Sequence, residues 1–396
     1  MGASPLAGLL VADLSRHLPG PLAARLLCDL GARVVKIEEP TLGDPVRLAP
    51  PSAGGTGVLA GMLLAGVESL ALDLKRAGAR SVLAALLERA DVLLESFRPG
   101  TLGRLGLDPR ELARRFPRLV VCSLSGFGQE GPEAGRAGHD LTYQAMAGTL
   151  APAGRAPAVP VADVAGAWSA ATAILAALLE RQRTGRGAWI DAALLDAAAH
   201  ANLTAWAEES GGRRAVGEPL ALSGALPCYG VYRTRDGALL AVAALERKFW
   251  RRFCAVARRP DLVPLQHSRR AAARRLVAAA VASRTRQEWS AALRDADVPA
   301  GPVLSAAEAR AHPQARSRAL LDAGEPPGSV RLAFPALFDG ERPRAAGPVP
   351  ALGEQTVPLL AELGFEAEAA SRRRRRALGL GRRWSLRRAL WRLASR

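Results

Sequence analysis

Lysine is almost missing from this chain: of 54 basic residues only Lys36, Lys75 and Lys248 are lysine, and the other 51 are arginine. The formal charge of +17 resembles a nucleic-acid signal, but codon bias explains such a skew more simply than selection for phosphate contacts. Residues 371–396 hold 11 arginines and no acid, which leaves +6 for the first 370 residues. That body lacks the mixed basic and aromatic motifs of DNA and RNA readers, so no nucleic-acid partner is expected. Cysteine is sparse too. Cys28, Cys122, Cys228 and Cys254 are scattered, with no CxxC and no nearby histidine pair. This argues against a zinc site and a disulfide framework, and suits a reducing cytoplasm. No apolar run reaches the roughly 18 residues of a spanning helix. The short apolar GLLVADL has no basic stretch before it. A soluble, cytoplasmic protein without a metal is the expectation.

What is present is an alternation of two periods. GLLVADL (8–14) and ARVVKIE (32–38) are apolar runs of strand length, joined by PGPLAARLLCDLG, a helical pattern with proline at its start and Gly31 at its end. The unit is a βαβ with a right-handed crossover. It repeats as a helix near 77–89 before DVLLESF (91–97), and a helix near 109–115 before LVVCSLSG (119–126). The pattern predicts an α/β fold, an open Rossmann-like parallel sheet. The first turn, SRHLPGP, lacks GxGxxG, so a nicotinamide or flavin dinucleotide is not its natural cofactor. Residues 165–182 read as a helix apolar almost all round and so expected to be buried, followed by a second strand-to-helix passage in AWIDAALLDAAAHANLTAW. At 396 residues two domains are expected. A large domain spans 1–208, a polar Gly-rich linker 209–221, and a smaller α+β domain 222–315. Residues 316–370 return to the large domain, and 371–396 form a tail.

LSRHLPGPLAARLLCDLGARVVKIEEP, LALDLKR, ADVLLESFRPGTLGRLGLDP, CSLSGFGQEGP, AGHDLTYQAMAG and YGVYRTRDGALLAVAALERKFW, in this order over about residues 6 to 366, resemble the family III CoA-transferase and α-methylacyl-CoA racemase superfamily. The resemblance implies an enzyme of acyl-CoA thioesters whose two-domain protomers interlock as a homodimer. It implies no permanent cofactor, because coenzyme A arrives as part of the substrate.

Epimerising a 2-methylacyl thioester requires a proton to leave one face of a weakly acidic carbon and return on the other, so two acid/base groups must flank it. A histidine and a carboxylate tuned by burial suit the task. By resemblance, His139 in GHDLTY and Asp163 in VADVAGAW match the racemases' acid/base pair. Glu246 in ALERKFW matches the glutamate that pairs with the histidine from the partner's small domain. In the transferases the position of Asp163 carries the aspartate that becomes an aspartyl-CoA thioester. Each has a plainer reading. Asp163 precedes a long helix and could cap it. Asp140 suits a turn or cap. Glu246 opens a charged helix as a solvated first-turn acid. His17, His200, His267 and His312 read as structural or surface residues.

For coenzyme A, Lys75, Arg98 and Arg104 fall where the family places contacts to the nucleotide, with Leu72 and Phe97 as apolar contacts. Two departures from the pattern, Glu39 after KIE and Glu68 in AGVES, put acids where the family carries cations. Each is expected to repel the nucleotide unless other arginines compensate. The racemases' DFGGG is here DVAGA, which narrows the room beside the thioester. Epimerisation leads because all three catalytic candidates are present and the small domain lacks the GGGG loop of formyl- and oxalyl-type transferases. CoA transfer through Asp163 is the alternative, and an inactive homologue the third. In the tail, Leu386, Leu390 and Leu393 share a helical face with arginines elsewhere, so a basic amphipathic helix touching a membrane or acidic surface is one reading and a disordered extension another.

Overall fold

The computed structural model describes residues 4–53, 56–152, 154–212, 219–324, 330–345 and 347–366. The tail at 371–396, with its expected amphipathic helix, lies outside the described residues. The chain forms two units, one from Met1–Tyr143, Val159–Ala201 and Arg318–Arg396, the other from Gln144–Ala158 and Asn202–Ser317. The helix Leu203–Ser210 thus already belongs to the second unit, ahead of the linker expected at 209–221. The second unit also takes residues 144–158 from the middle of the first. A long-range exchange of this kind leaves no trace in local periodicity.

In the first unit, β1 (Leu10–Asp13), β2 (Arg33–Glu38), β3 (Glu68–Ala71), β4 (Val92–Glu95), β5 (Val120–Ser125) and β6 (Trp189–Ala193) form a six-stranded sheet in the order β3-β2-β1-β4-β5-β6. Every pairing is parallel, with Val11 opposite Val34 on one side and Val92 on the other. Near-continuous apolar strands are what a sheet covered on both faces requires. Ala12, Val35, Leu70, Leu93 and Val121 are fully buried at its centre. The short strand β3 has no strong pattern of its own. Its pairing comes from the neighbour, with Leu70 opposite Ile37.

The covering helices include α1 (Pro19–Asp29), which carries proline in its first turn, α2 (Ala77–Leu87) and α3 (Pro109–Arg115). The Asp108 side chain caps α3 by accepting the N–H groups of Arg110 and Glu111. Farther along lie α4 (Asp140–Met146) and α5 (Val161–Thr184). Leu359, Leu360 and Leu363, at the helix Thr356–Glu362, join the core of this unit.

The helix α5 corrects two expectations. It is not buried all round: Ala162, Gly166, Ala170, Ile174 and Leu178 are buried, while Trp168, Thr172, Ala176 and Leu179 are exposed, Leu179 by 64%. It is also long and apolar enough, by length and composition, to cross a membrane, although no run in the sequence reads as one. Its small residues instead pack on α1 and on the helix Leu194–Ala201.

The second unit holds an antiparallel sheet of β7 (Tyr229–Arg233), β8 (Leu239–Ala243) and β9 (Ala300–Pro302), with β8 central. Trp250 and Phe253 stack at 5.4 Å, and Phe253 and Trp289 at 5.8 Å. The indole N–H groups find carbonyls, Trp289 Nε1 donating to Val281 at 2.8 Å, so neither ring is buried with an unmet donor.

Candidate active site

Strand order reverses between β1 and β4, and a doubly wound sheet opens its crevice beyond the carboxyl ends of such a pair. The loop leaving β1 is fixed from below by buried charges. Lys36 Nζ, 1% exposed, lies 3.1 Å from Asp13 Oδ2 and 3.1 Å from Asp44 Oδ2, and donates to the Ser15 carbonyl at 2.7 Å. Burial alone disfavours the ammonium, but the Asp13, Asp44 and Glu38 carboxylates outweigh it and raise the Lys36 pKa. Beside it, Arg47 forks onto Glu38 with two 2.7 Å bonds. Burial opposes the Glu38 charge, yet this guanidinium and Ser69 hold its carboxyl below the usual range. On this base the Arg16 N–H donates to Ser96 Oγ at 2.9 Å, bridging the loops that follow β1 and β4. The His17 N–H donates to Asp44 Oδ1 at 3.1 Å, with His17 in the left-handed region at φ 67°. The Phe97 N–H bonds to the buried Glu95 carboxylate at 2.8 Å.

His139 stands at the entry to α4. Its N–H donates to Thr142 Oγ1 at 2.8 Å, and its carbonyl accepts the Thr142 N–H at 2.8 Å, leaving the imidazole exposed. Just before it, Gly138 lies so close to the Tyr143 ring that a Cβ there would come within 2.5 Å of it, and Gly126 is equally tight at 2.5 Å. Glycine is required at both. Asp140 then reaches across the chain: its Oδ1 accepts the N–H groups of Ala162 at 2.8 Å and Asp163 at 3.1 Å. The cap of α5 therefore comes from Asp140, 23 residues before Asp163. Asp163 is no cap, because it is the third residue of a helix whose N-cap position is Pro160. The same bonds fasten the His139 turn to the turn that carries Asp163. Burial, and secondarily the Asp140 charge, push the Asp163 carboxyl up to about 6. Burial and the Asp163 charge also raise the Tyr143 hydroxyl, with Arg98 acting in the opposite sense.

Glu246 lies exposed just before the helix Arg247–Val256, in the second unit, and its side chain makes no cap bond. Lys75 and Arg104 line an open groove of about 850 Å³ together with Arg80, Arg115, Glu88 and Leu105. Arg98 is exposed on the loop after β4. Leu72, 3% exposed, and Phe97 pack on the apolar core, so the Leu72 side chain does not offer a surface to a ligand.

The two unexpected acids separate. Glu68 begins β3, at the edge of the sheet opposite the crevice, and binds Arg33 at 2.6 and 3.0 Å, so its expected repulsion of a nucleotide falls away. Glu39 follows β2 at the crevice edge, where its carboxylate accepts the N–H groups of Thr41 and Leu42.

A family model described as CoA-transferase family III matches residues 6–356. The chain belongs to this family. Among curated relatives of this family III protein, the human α-methylacyl-CoA racemase is 34% identical over 381 residues, 92% of this chain and 94% of that protein. The acetyl-CoA:oxalate CoA-transferase of Acetobacter aceti is 34% identical over 336 residues, 80% of this chain and 85% of that one. Among solved structures, a CAIB/BAIF family protein from Brucella suis superposes with a TM-score of 0.79 at 30% identity, covering 91% of this chain and all of that one.

For this family III protein, two kinds of residue at the site escape the sequence. Tyr143, Asp44 and Ser96 carry no motif, and only the folded loops give them partners. Arg80 and Arg115, further cations lining the groove, are invisible among 51 arginines.

Proposed function

We propose that the protein epimerises a 2-methylacyl-CoA by removing and returning the proton at its α-carbon, with His139 and Asp163 serving opposite faces. One observation carries this reading. The Asp163 carboxyl is held at about 6 while Asp140 ties its turn to that of His139. A carboxyl near neutrality trades protons easily in both directions, as an epimerase needs. A nucleophilic carboxylate is better served by full ionisation. Glu246, from a second protomer, would pair with His139, so a homodimer in the cytoplasm is part of the proposal. Coenzyme A would lie with its phosphates toward Lys75 and Arg104, near Arg80 and Arg115, and with its thioester at the crevice. The C–H electron pair passes into the enolate as one group accepts the proton, and the other group donates to the opposite face.

CoA transfer between carboxylic acids, with Asp163 forming an aspartyl-CoA thioester, is the second reading. It draws on the transferases among the relatives. Incubating the protein with a 2-methylacyl-CoA in heavy water separates the two. Epimerisation predicts α-deuterium without any acyl acceptor, and His139→Ala and Asp163→Ala each abolish exchange from one face more than from the other. No deuterium with wild-type protein, and a hydroxylamine-sensitive adduct at Asp163 instead, sinks the first reading in favour of the second.

A further inference from the structure

Resting on the proton-transfer reading above, we propose that Tyr143 is a further catalytic residue of this reaction: its hydroxyl donates a hydrogen bond to the thioester oxygen and holds the negative charge that gathers there as the enolate forms. The ring is fixed where two segments of the crevice meet. A Cβ added at Gly126, the residue after β5, would lie 2.5 Å from Tyr143 Oη, and one added at Gly138, the residue before His139, would lie 2.5 Å from Cε1 and 3.0 Å from Oη. The phenol end is therefore gripped between the carboxyl end of β5 and the His139 turn. Phe127 adds an edge-to-face contact at 5.0 Å and 78°. Tyr143 also follows Asp140 by three residues in α4, a spacing that puts both side chains on one helix face, and the Asp140 carboxylate accepts the N–H groups of Ala162 and Asp163. The face of α4 that carries the phenol is thus the one turned toward the start of α5 and Asp163.

Tyr143 is only 6% exposed, yet no protein group among the described residues hydrogen-bonds its Oη, and that oxygen keeps part of the little surface the residue retains. A buried tyrosine ordinarily finds a partner for its O–H. A phenol locked in place with its hydroxyl unpaired and open is preorganised for an acceptor that arrives with the substrate. Burial, followed by the Asp163 and Asp140 charges, raises its pKa while Arg98 opposes, so it remains a protonated donor at neutral pH. When one acid/base group takes the α-proton, the C–H electron pair forms the C=C bond and the carbonyl π pair moves onto oxygen, where the Tyr143 O–H meets it. The phenol keeps its proton, and the enolate collapses as the other group returns a proton to the opposite face.

The test compares α-deuterium exchange of a 2-methylacyl-CoA in heavy water by the full chain and by Tyr143→Phe, which keeps the ring and removes only the hydroxyl. The kcat for exchange is expected to fall about 100-fold, the scale of one lost oxyanion donor, with KM held within about threefold, because the bond strengthens as charge develops. A tyrosine with a packing role alone would not split the two constants in this way. A second measurement needs no variant. In protein carrying 3-fluorotyrosine at its three tyrosines, the Tyr143 fluorine resonance should move on binding the acyl-CoA and stay in place with a thioether analogue that has no carbonyl oxygen. An unmoved resonance with the thioester, or a folded Tyr143→Phe that keeps the wild-type kcat, overturns the donor role and leaves the proton-transfer reading standing. If wild-type protein neither exchanges nor epimerises, that reading fails and the donor role with it.

Discussion

A carboxyl at the start of a helix is ordinarily stabilised as an anion by the dipole, yet Asp163 is displaced the other way, to about 6, because burial and Asp140 outweigh that field. The displacement has a cost with a definite sign. The folded pKa lies above the unfolded value near 3.8, so the folded state holds the extra proton between about pH 4 and 6. The contribution to stability is complete below pH 4 and is lost as pH rises through 6. Asp163→Asn, which cannot ionise, should therefore be more stable than wild type at pH 7.5 by on the order of 1–3 kcal/mol, with the difference vanishing near pH 4. Denaturant titrations at the two pH values check this. An equal effect at both would mean that burial does not disfavour the charge. Beneath the loop, Lys36→Met leaves Asp13 and Asp44 buried without their cation, so a loss of about 3–5 kcal/mol is expected in the same titrations.

At the scale of elements, Asp140 fastens the His139 turn to α5. Asp140→Ala removes the acceptor of the Ala162 and Asp163 N–H groups and should cost about 1 kcal/mol of stability. It should also reduce α-proton exchange beyond what lost stability explains, because the two turns are no longer fastened. Asp140→Asn keeps an acceptor oxygen and should recover most of the stability. Exchange in Asp140→Ala at the wild-type rate, in folded protein, would show that the cap has no part in positioning. The periodic signals of α1, α2, α3 and the main strands were legible because each buries one continuous apolar surface. The segment β3 was not legible, since four residues, ESLA, become a strand only beside β2. The exposed face of α5 was hidden for a different reason. Small apolar residues occupy both faces, so hydrophobicity alone cannot say which one packs.

For the whole molecule, charge is the property most easily misread. Of a net +17, residues 371–396 carry 11, whereas Lys75, Arg80, Arg104 and Arg115 form a local cluster around one groove with Glu88 among them. Affinity for free coenzyme A should accordingly fall steadily as salt rises, since exposed charges are screened within roughly 10 Å at 0.1 M. Arg115→Ala should weaken binding by roughly three- to tenfold and flatten that dependence. Calorimetry at several salt concentrations checks both, and a salt-insensitive affinity would place the phosphates elsewhere. The sequence by itself determined the doubly wound α/β class, the family, and the candidates His139, Asp163 and Glu246, because strand and helix periods and ordered motifs are local properties of the chain. Only the tertiary structure decided that Asp140 and not Asp163 caps α5 and that Glu68 is spent on Arg33 away from the crevice. Burial and through-space charge set these roles, and neither exists until distant segments meet.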